Sequence, residues 1–274
     1  MNWLQSLMNP VLLTLISGTL GARNVWSQSS NGNGCSIVAE ATQTGFAATF
    51  YDYPQAELIR FNSDNYVGNR YTTDLSVVTS ALGVTEPNFS FATNFDSHTL
   101  YGLDVNLYNV LIQYTGYFYA KETGLYRVSV NEMNDGAFLW LGSNAGFDCC
   151  KQTIPEQSYD DVLLGVRNDG SHFSYVFLQE GVFYPMRVVY INIYFGAVMQ
   201  FQIMTPSGNI ISNFEDSVFN FEKDDIRACA TIDASNTLEV STVYSFLPTD
   251  AATTEIIYTD SVTYANNGVA STYM

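Results

Sequence analysis

Short runs of one kind dominate the middle of the chain: "FAATFYDY", "YNVLIQYTGYFYA", "GLYRVSV", "GAFLWLG", "FSYVFLQ", "FYPMRVVYINIYF" and "MQFQIMT". Each is rich in β-branched and aromatic residues, which suit a pleated, half-buried surface, and each is bounded by Gly, Pro or Asn-Asp punctuation. No stretch sustains a 3.6-residue apolar period with capping residues. A chain of this kind closes its core by packing sheet on sheet, so the expected class is all-β, an antiparallel β-sandwich over an aromatic core. Turn chemistry marks Glu122–Gly124, Asn134–Gly136, Asn168–Gly170 and Pro206–Asn209. The more polar segment Asn62–Ser97 is expected to be an irregular excursion outside the sheets.

With 274 residues, 47% of them apolar and 15% aromatic, the chain can hold one large β domain or two ordinary ones and bury a sizeable core. Ten basic residues leave a formal charge of −17, a surface that repels nucleic acid and anionic lipid and accommodates cations. The start, "MNWLQSLMNPVLLTLISGTLGARNVWSQ", carries an apolar run from Val11 to Leu20 that is too short to span a bilayer. It reads as a secretory signal peptide over residues 1–22, with Gly21, Ala22 and Ser27 as candidate ends. Residues 35–230 form the expected globular domain. After Arg227 there is no Lys or Arg while Ser and Thr become frequent, so residues 231–274 read as the start of a Ser/Thr-rich stalk. No hydrophobic tail follows, so no direct membrane span is expected.

Secretion makes disulfides the expected fate of the four cysteines. The vicinal pair Cys149–Cys150 would form a strained ring if bonded to itself, which leaves two pairings with Cys35 and Cys229. Chain order favours Cys35–Cys149 with Cys150–Cys229, an arrangement expected to pin both ends of the domain to one central strand. Asn88-Phe89-Ser90 is a glycosylation sequon, and Asn88 is a candidate acceptor.

Catalytic patterns are not found. His98 and His172 stand alone and the cysteines are accounted for by disulfides, which gives a zinc site poor support, and no Ser or Cys sits in a nucleophile turn with a paired His. The carboxylate pairs Asp160–Asp161 and Asp224–Asp225 would point to opposite faces of a strand and read as solvated surface, so no enzyme is expected. Asn134-Asp135-Gly136 between two strands is ordinarily a hairpin turn. Its side-chain oxygens also suit a hard cation such as calcium, for which Asn192 in "VVYINIYFG" is a second oxygen source.

In their order along the chain, "TGYFYAKETGLYRVSV", "NDGAFLWLG", "FDCC", "GVFYPMRVVYIN", "PSGN" and "FEDSVFNFE" ahead of a last cysteine are diagnostic. They resemble the PA14-type lectin domains of yeast flocculin-like cell-wall adhesins, over roughly Cys35 to Cys229. The resemblance implies a PA14-like sandwich holding one calcium ion (Ca2+) that binds sugar hydroxyls directly. Two adjacent aspartates joined by a cis peptide are its key ligands in that family. On this chain the calcium ligands would be Asn134, Asp135, Asn192 and the carbonyls of Tyr194 and Gly196. Sugar contacts would come from Asn134, Asp135, Asn192, Tyr194 and Phe195. The first aspartate of the pair is Asn134 here, which removes one negative charge from the site. Mannose-binding members carry a cysteine-containing insertion in the first half, and Phe61–Val110 has no cysteine. The implied partner is thus another terminal hexose or N-acetylhexosamine on neighbouring cells or surfaces. The resemblance implies a secreted, wall-associated adhesin acting in flocculation-like cell adhesion, as a monomeric domain. The alternative is a structural or self-associating wall protein that has lost sugar binding.

Overall fold

The computed structural model describes residues 33–38, 41–53, 71–93, 97–155, 163–167, 172–193, 196–222, 229–232, 238–246, 256–266 and 269–273. The signal-peptide segment, Asp160–Asp161, Asn168–Gly170 and Asp224–Asp225 lie outside them. The first elements are β1 (Gly34–Ile37), β2 (Gln43–Thr44), β3 (Phe46–Asp52) and one helical turn, α1 (Tyr71–Asp74). Next come β4 (Val77–Val84), β5 (Phe89–Phe91), β6 (Ser97–Leu100), β7 (Leu103–Asn106), β8 (Val110–Tyr119), β9 (Gly124–Met133) and β10 (Gly136–Leu141). The second half contributes β11 (Leu164–Arg167), β12 (His172–Leu178), β13 (Phe183–Asn192), β14 (Ala197–Met204), β15 (Ile210–Ile211), β16 (Val218–Asn220) and β17 (Cys229–Ile232). Finally β18 (Leu238–Phe246), β19 (Ile256–Asn266) and β20 (Val269–Tyr273) form a three-stranded antiparallel sheet within the segment read as a stalk. Among the described residues no helix is long and apolar enough to cross a membrane.

Two antiparallel sheets make the sandwich. The larger has ten strands along the order β11-β10-β13-β8-β16-β2, with β3 and β4 added at β8 and β1 and β17 at β13. The smaller runs β12-β9-β14-β15, with β5 on β14. Strand β13 shows why the sequence folds this way. Tyr184, Met186, Val188 and Tyr190 face the core between the sheets, while Val189 and Ile191 face a second apolar layer under α1. Alternate residues of a strand point to opposite faces, so burial on both sides demands the largely apolar run "FYPMRVVYIN". One cation interrupts it. Arg187 is fully buried, its guanidinium carbon 3.8 Å from the Trp140 ring centre, and it donates to the Tyr71 hydroxyl at 3.1 Å. That hydroxyl in turn donates to Gln113 Oε1. Stacking on an aromatic face is a way for a weakly hydrated guanidinium to stay charged inside a protein.

Two sequence expectations need correction. Asn62–Ser97 is no excursion in its described part, because β4 extends the large sheet on β3 and β5 extends the small one on β14. Val77, Val78 and Leu82 of β4 are exposed, as befits an edge strand, so the usual apolar-in alternation is blurred there. The cysteines pair as Cys35–Cys149 and Cys150–Cys229, with Cα separations of 5.7 and 5.6 Å. Cys149 and Cys150 nevertheless lie in a turn beyond β10, not on a central strand. Asp148 Oδ1 organises that turn by accepting the Cys150 and Lys151 N–H groups at 3.0 and 2.6 Å. Tyr117 donates to the Cys149 carbonyl at 2.7 Å and packs edge-on against Phe147 and Phe221, which seals the bridges in an aromatic shell.

Candidate functional site

Asn134 and Asp135 do not form a hairpin. β9 belongs to the small sheet and β10 to the large one, so the Asn-Asp pair is a corner by which the chain crosses between sheets. β13 belongs to the large sheet and β14 to the small one, so the chain crosses back between the end of β13 and the start of β14. Strand register sets the two crossings side by side, since Gly136 pairs with Ile191 in one sheet and Met133 with Met199 in the other.

Hydrogen bonds lock the two crossings together. The Asn134 N–H donates to the Val198 carbonyl at 3.0 Å, and its side-chain Nδ2 donates to the Gly196 carbonyl. Asp135 Oδ2 accepts the Ile193 N–H at 2.5 Å. Asp135 takes a left-handed φ of 64°, which a residue with a short polar side chain tolerates better than most. Among the described residues every peptide bond is trans, in contrast to the cis pair of the resembling family. At Gly196 a Cβ would lie 2.7 Å from the Phe91 carbonyl oxygen, so only glycine allows this approach of β14 to the end of β5.

Asn192 closes the corner from behind. It is fully buried at the end of β13, and its Nδ2 donates to the Leu107 carbonyl at 2.6 Å. Its amide oxygen has no hydrogen-bond partner. A buried acceptor left without a donor is costly and points to a further ligand. The Asp135 charge is also felt nearby: burial first, and then that charge, hold the Tyr190 hydroxyl far above its ordinary pKa.

The donor set fits a hard cation, with one carboxylate, an unpartnered amide oxygen and a backbone carbonyl within one corner. Among the described residues no three His, Cys, Asp or Glu are grouped so that they could hold a metal ion, so a cation here would rely largely on neutral oxygens. The structure thus brings Asn134, Asp135, Asn192 and Gly196 together. Tyr194 and Phe195 lie outside the described residues. Sequence reasoning missed the Ile193 N–H and the Leu107 and Val198 carbonyls, because backbone groups leave no residue-type signature. Asn88 stands elsewhere, on the edge of the small sheet, with its side-chain amide bonded to the backbone of Phe201.

Comparison with known proteins agrees with this architecture. Residues 110–205 match the GLEYA domain family. Flocculation protein FLO10 of Saccharomyces cerevisiae is 30% identical over 191 residues, 64% of this chain and 16% of that protein. The chain therefore spans about a sixth of that relative's length. Among solved structures, the A domain of epithelial adhesin 6 from Candida glabrata, in complex with Galb1-3GlcNAc, superposes with a TM-score of 0.59. It is 20% identical, and the match covers 73% of this chain and 96% of that one. The epithelial adhesin 9 A domain, in complex with Galb1-4GlcNAc, gives 0.59 at 20% identity, over 72% of this chain and 98% of its own. At that identity the likeness is one of fold.

Proposed function

We propose, from the premise that this chain carries a PA14-type lectin domain of the yeast flocculin-like adhesins, that it binds terminal sugars through calcium at the Asn134–Asp135 corner. The observation that carries the reading is the unpartnered oxygen of fully buried Asn192, in a crossover that Asp135 holds through the neighbouring Ile193 N–H. Asp135, Asn192 and the Gly196 carbonyl would hold the ion, and Asn134 would join them after releasing Gly196. Bound calcium would supply the positive centre on which sugar hydroxyls are recognised. The sugar partner is a terminal hexose or N-acetylhexosamine, a class supported by the galactosyl ligands of the epithelial adhesins. The setting is the outside of the cell, as part of a wall-associated adhesin in cell-cell or cell-surface contact. The relatives are adhesins and not enzymes, in line with the absence of a catalytic pattern in the sequence.

One observation favours the second reading, a wall protein that has kept the sandwich and lost sugar binding. The Asn134 amide already satisfies the Gly196 carbonyl, so the corner is partly self-sufficient without an ion. Calorimetry and retention on sugar-coated beads separate the two. Calcium uptake, chelator-sensitive retention and loss of both in Asp135→Ala support the lectin. No calcium uptake by the purified chain, or retention indifferent to chelator and to Asp135→Ala, sinks it.

A further inference from the structure

The small sheet has a second recess, away from the calcium corner. On one side of β14, β5 pairs with Ala197–Met199 and β15 with Ile203–Met204, so the flanking strand is broken opposite Phe201. Asn88 fills the break. Its Oδ1 accepts the Phe201 N–H at 2.7 Å and its Nδ2 donates to the Phe201 carbonyl at 3.0 Å, as a neighbouring strand would. On the other side, the register of β14 with β9 shifts between Gln200 and Phe201. Bulges of this kind re-aim side chains and recur beside binding sites.

Over the break lies an open cavity of about 380 Å3, lined by Asn88, Ser90, Asn131, Gln200, Gln202 and Ser212 together with two phenylalanines. Its volume is within the roughly 300–1,000 Å3 span of small-molecule sites. The lining chemistry is narrow. No Lys, Arg, Asp or Glu lines it, which disfavours both anions and cations as ligands in a chain of charge −17. Amides and hydroxyls both donate and accept, the pattern that neutral hydroxyl groups require. Glu132 Oε2 accepts from Gln200 Nε2 at 2.9 Å, so that amide is held in place before any ligand arrives. Because Asn88 has taken the Phe201 backbone groups, a peptide strand has no free edge to pair with there. Ser129 pairs with both Gln202 and Phe173, which sets Phe173 in the same cross-strand row, about 10 Å away at the spacing of two strands. Phe173 is 37% exposed, but the Arg127 guanidinium carbon lies 4.3 Å over its ring, so that face is already taken and recognition in the groove rests on its amides and hydroxyls.

We propose that this groove is a second glycan-binding site, specific for a neutral oligosaccharide and independent of calcium. Its centre at Gln200 lies about 13 Å along β14 from Gly196, so it is not part of the calcium corner.

The test titrates the whole chain, in excess chelator, with linear glucose hexasaccharides in β-1,3, β-1,4 and α-1,4 linkage, and with an oligogalacturonate as anionic control. Binding of at least one neutral probe is expected, weakened about tenfold or more by Gln202→Ala and by Ser212→Trp, which fills the groove. Asp135→Ala should leave it unchanged, which separates this site from the calcium corner. Thermal melts report whether each variant is folded, and the two variants perturb the groove in different ways. The proposal is overturned if no neutral probe binds, if the oligogalacturonate binds better, or if folded variants bind like the parent. Loss of binding in Asp135→Ala also overturns it. So does mass spectrometry showing a glycan on Asn88 in protein secreted from yeast, since the protein's own sugar would then occupy the groove.

Discussion

Replacing Asn134 by aspartate should convert a self-satisfied corner into one that depends on calcium. In the parent, the Asn134 amide donates to the Gly196 carbonyl, a bond worth about 1 kcal/mol net that an incoming ion must break. Aspartate cannot donate. Its carboxylate would face that carbonyl oxygen and stand next to the Asp135 carboxylate. Two unit charges about 5 Å apart repel by about 3 kcal/mol at an effective dielectric of 20, and by about 1–2 after relaxation and salt screening. The metal-free variant should therefore lose about 2–3 kcal/mol of stability, a fall in melting temperature of roughly 5–10 °C for a chain of this size. Calcium would restore this and gain a further unit of ligand charge. The expected net gain in calcium binding is about 3 kcal/mol, roughly a hundredfold in Kd. Calorimetry in metal-stripped buffer, paired with melts in chelator and in calcium, measures both halves. Equal calcium affinity in parent and Asn134→Asp, or an unchanged melt in chelator, would refute the reasoning.

Asn88→Ala leaves the Phe201 N–H and carbonyl without their partner and should cost about 1–3 kcal/mol in urea unfolding; a variant as stable as the parent contradicts the strand-surrogate role. The bridges close separations of 114 and 79 residues, so Cys35→Ser/Cys149→Ser should cost about 5 kcal/mol and Cys150→Ser/Cys229→Ser about 4.5, on the chain-entropy model. An inverted order would mean that native packing and not loop length dominates. Folding lowers the Glu122 pKa below 4.5, chiefly through the hydrogen bond from the Ser207 hydroxyl. A carboxyl depressed in this way adds stability that is present above pH 4.5 and lost as pH falls through the folded value. Glu122→Gln should flatten that acid limb, and NMR titration of Glu122 at or above 4.5 would contradict the assignment.

The sandwich was legible because β8, β9, β10, β13 and β14 are long apolar runs whose period and punctuation leave little choice. β4 was not, since an exposed edge strand lacks the one-sided burial that makes alternation visible. The crossing at Asn134–Asp135 is indistinguishable from a hairpin in the sequence for a different reason. A two-residue Asn-Asp connection looks the same whether the next strand turns back beside its neighbour or crosses to the opposite sheet, and that choice is made by β13, which claims β10 across its whole length. Landmarks shared with a known family pointed to Asn134, Asp135, Asn192 and Gly196, but the hydrogen bonds that join the crossings involve main-chain atoms of Ile193, Gly196 and Val198, which no side-chain pattern encodes. The break in the strand beside Phe201 is equally silent in the sequence, where Asn88 carries only the pattern of a sequon.

The turn at Asp148–Lys151 has a mechanical consequence. Suppose a ligand is gripped at the Asn134–Asp135 corner while the chain is pulled from beyond Ile232. Tension entering at Cys229 passes through its sulfur to Cys150 and then along the backbone back to Asp135. Residues 151–228 lie outside that covalent path, shunted by the bridge, so β11 to β16 need not be stretched when the contact is strained. The extensible segment is reduced to β10 and the loop after it. There β10 lies between β11 and β13 and would have to shear past both, the pulling direction in which all the ladder hydrogen bonds resist together.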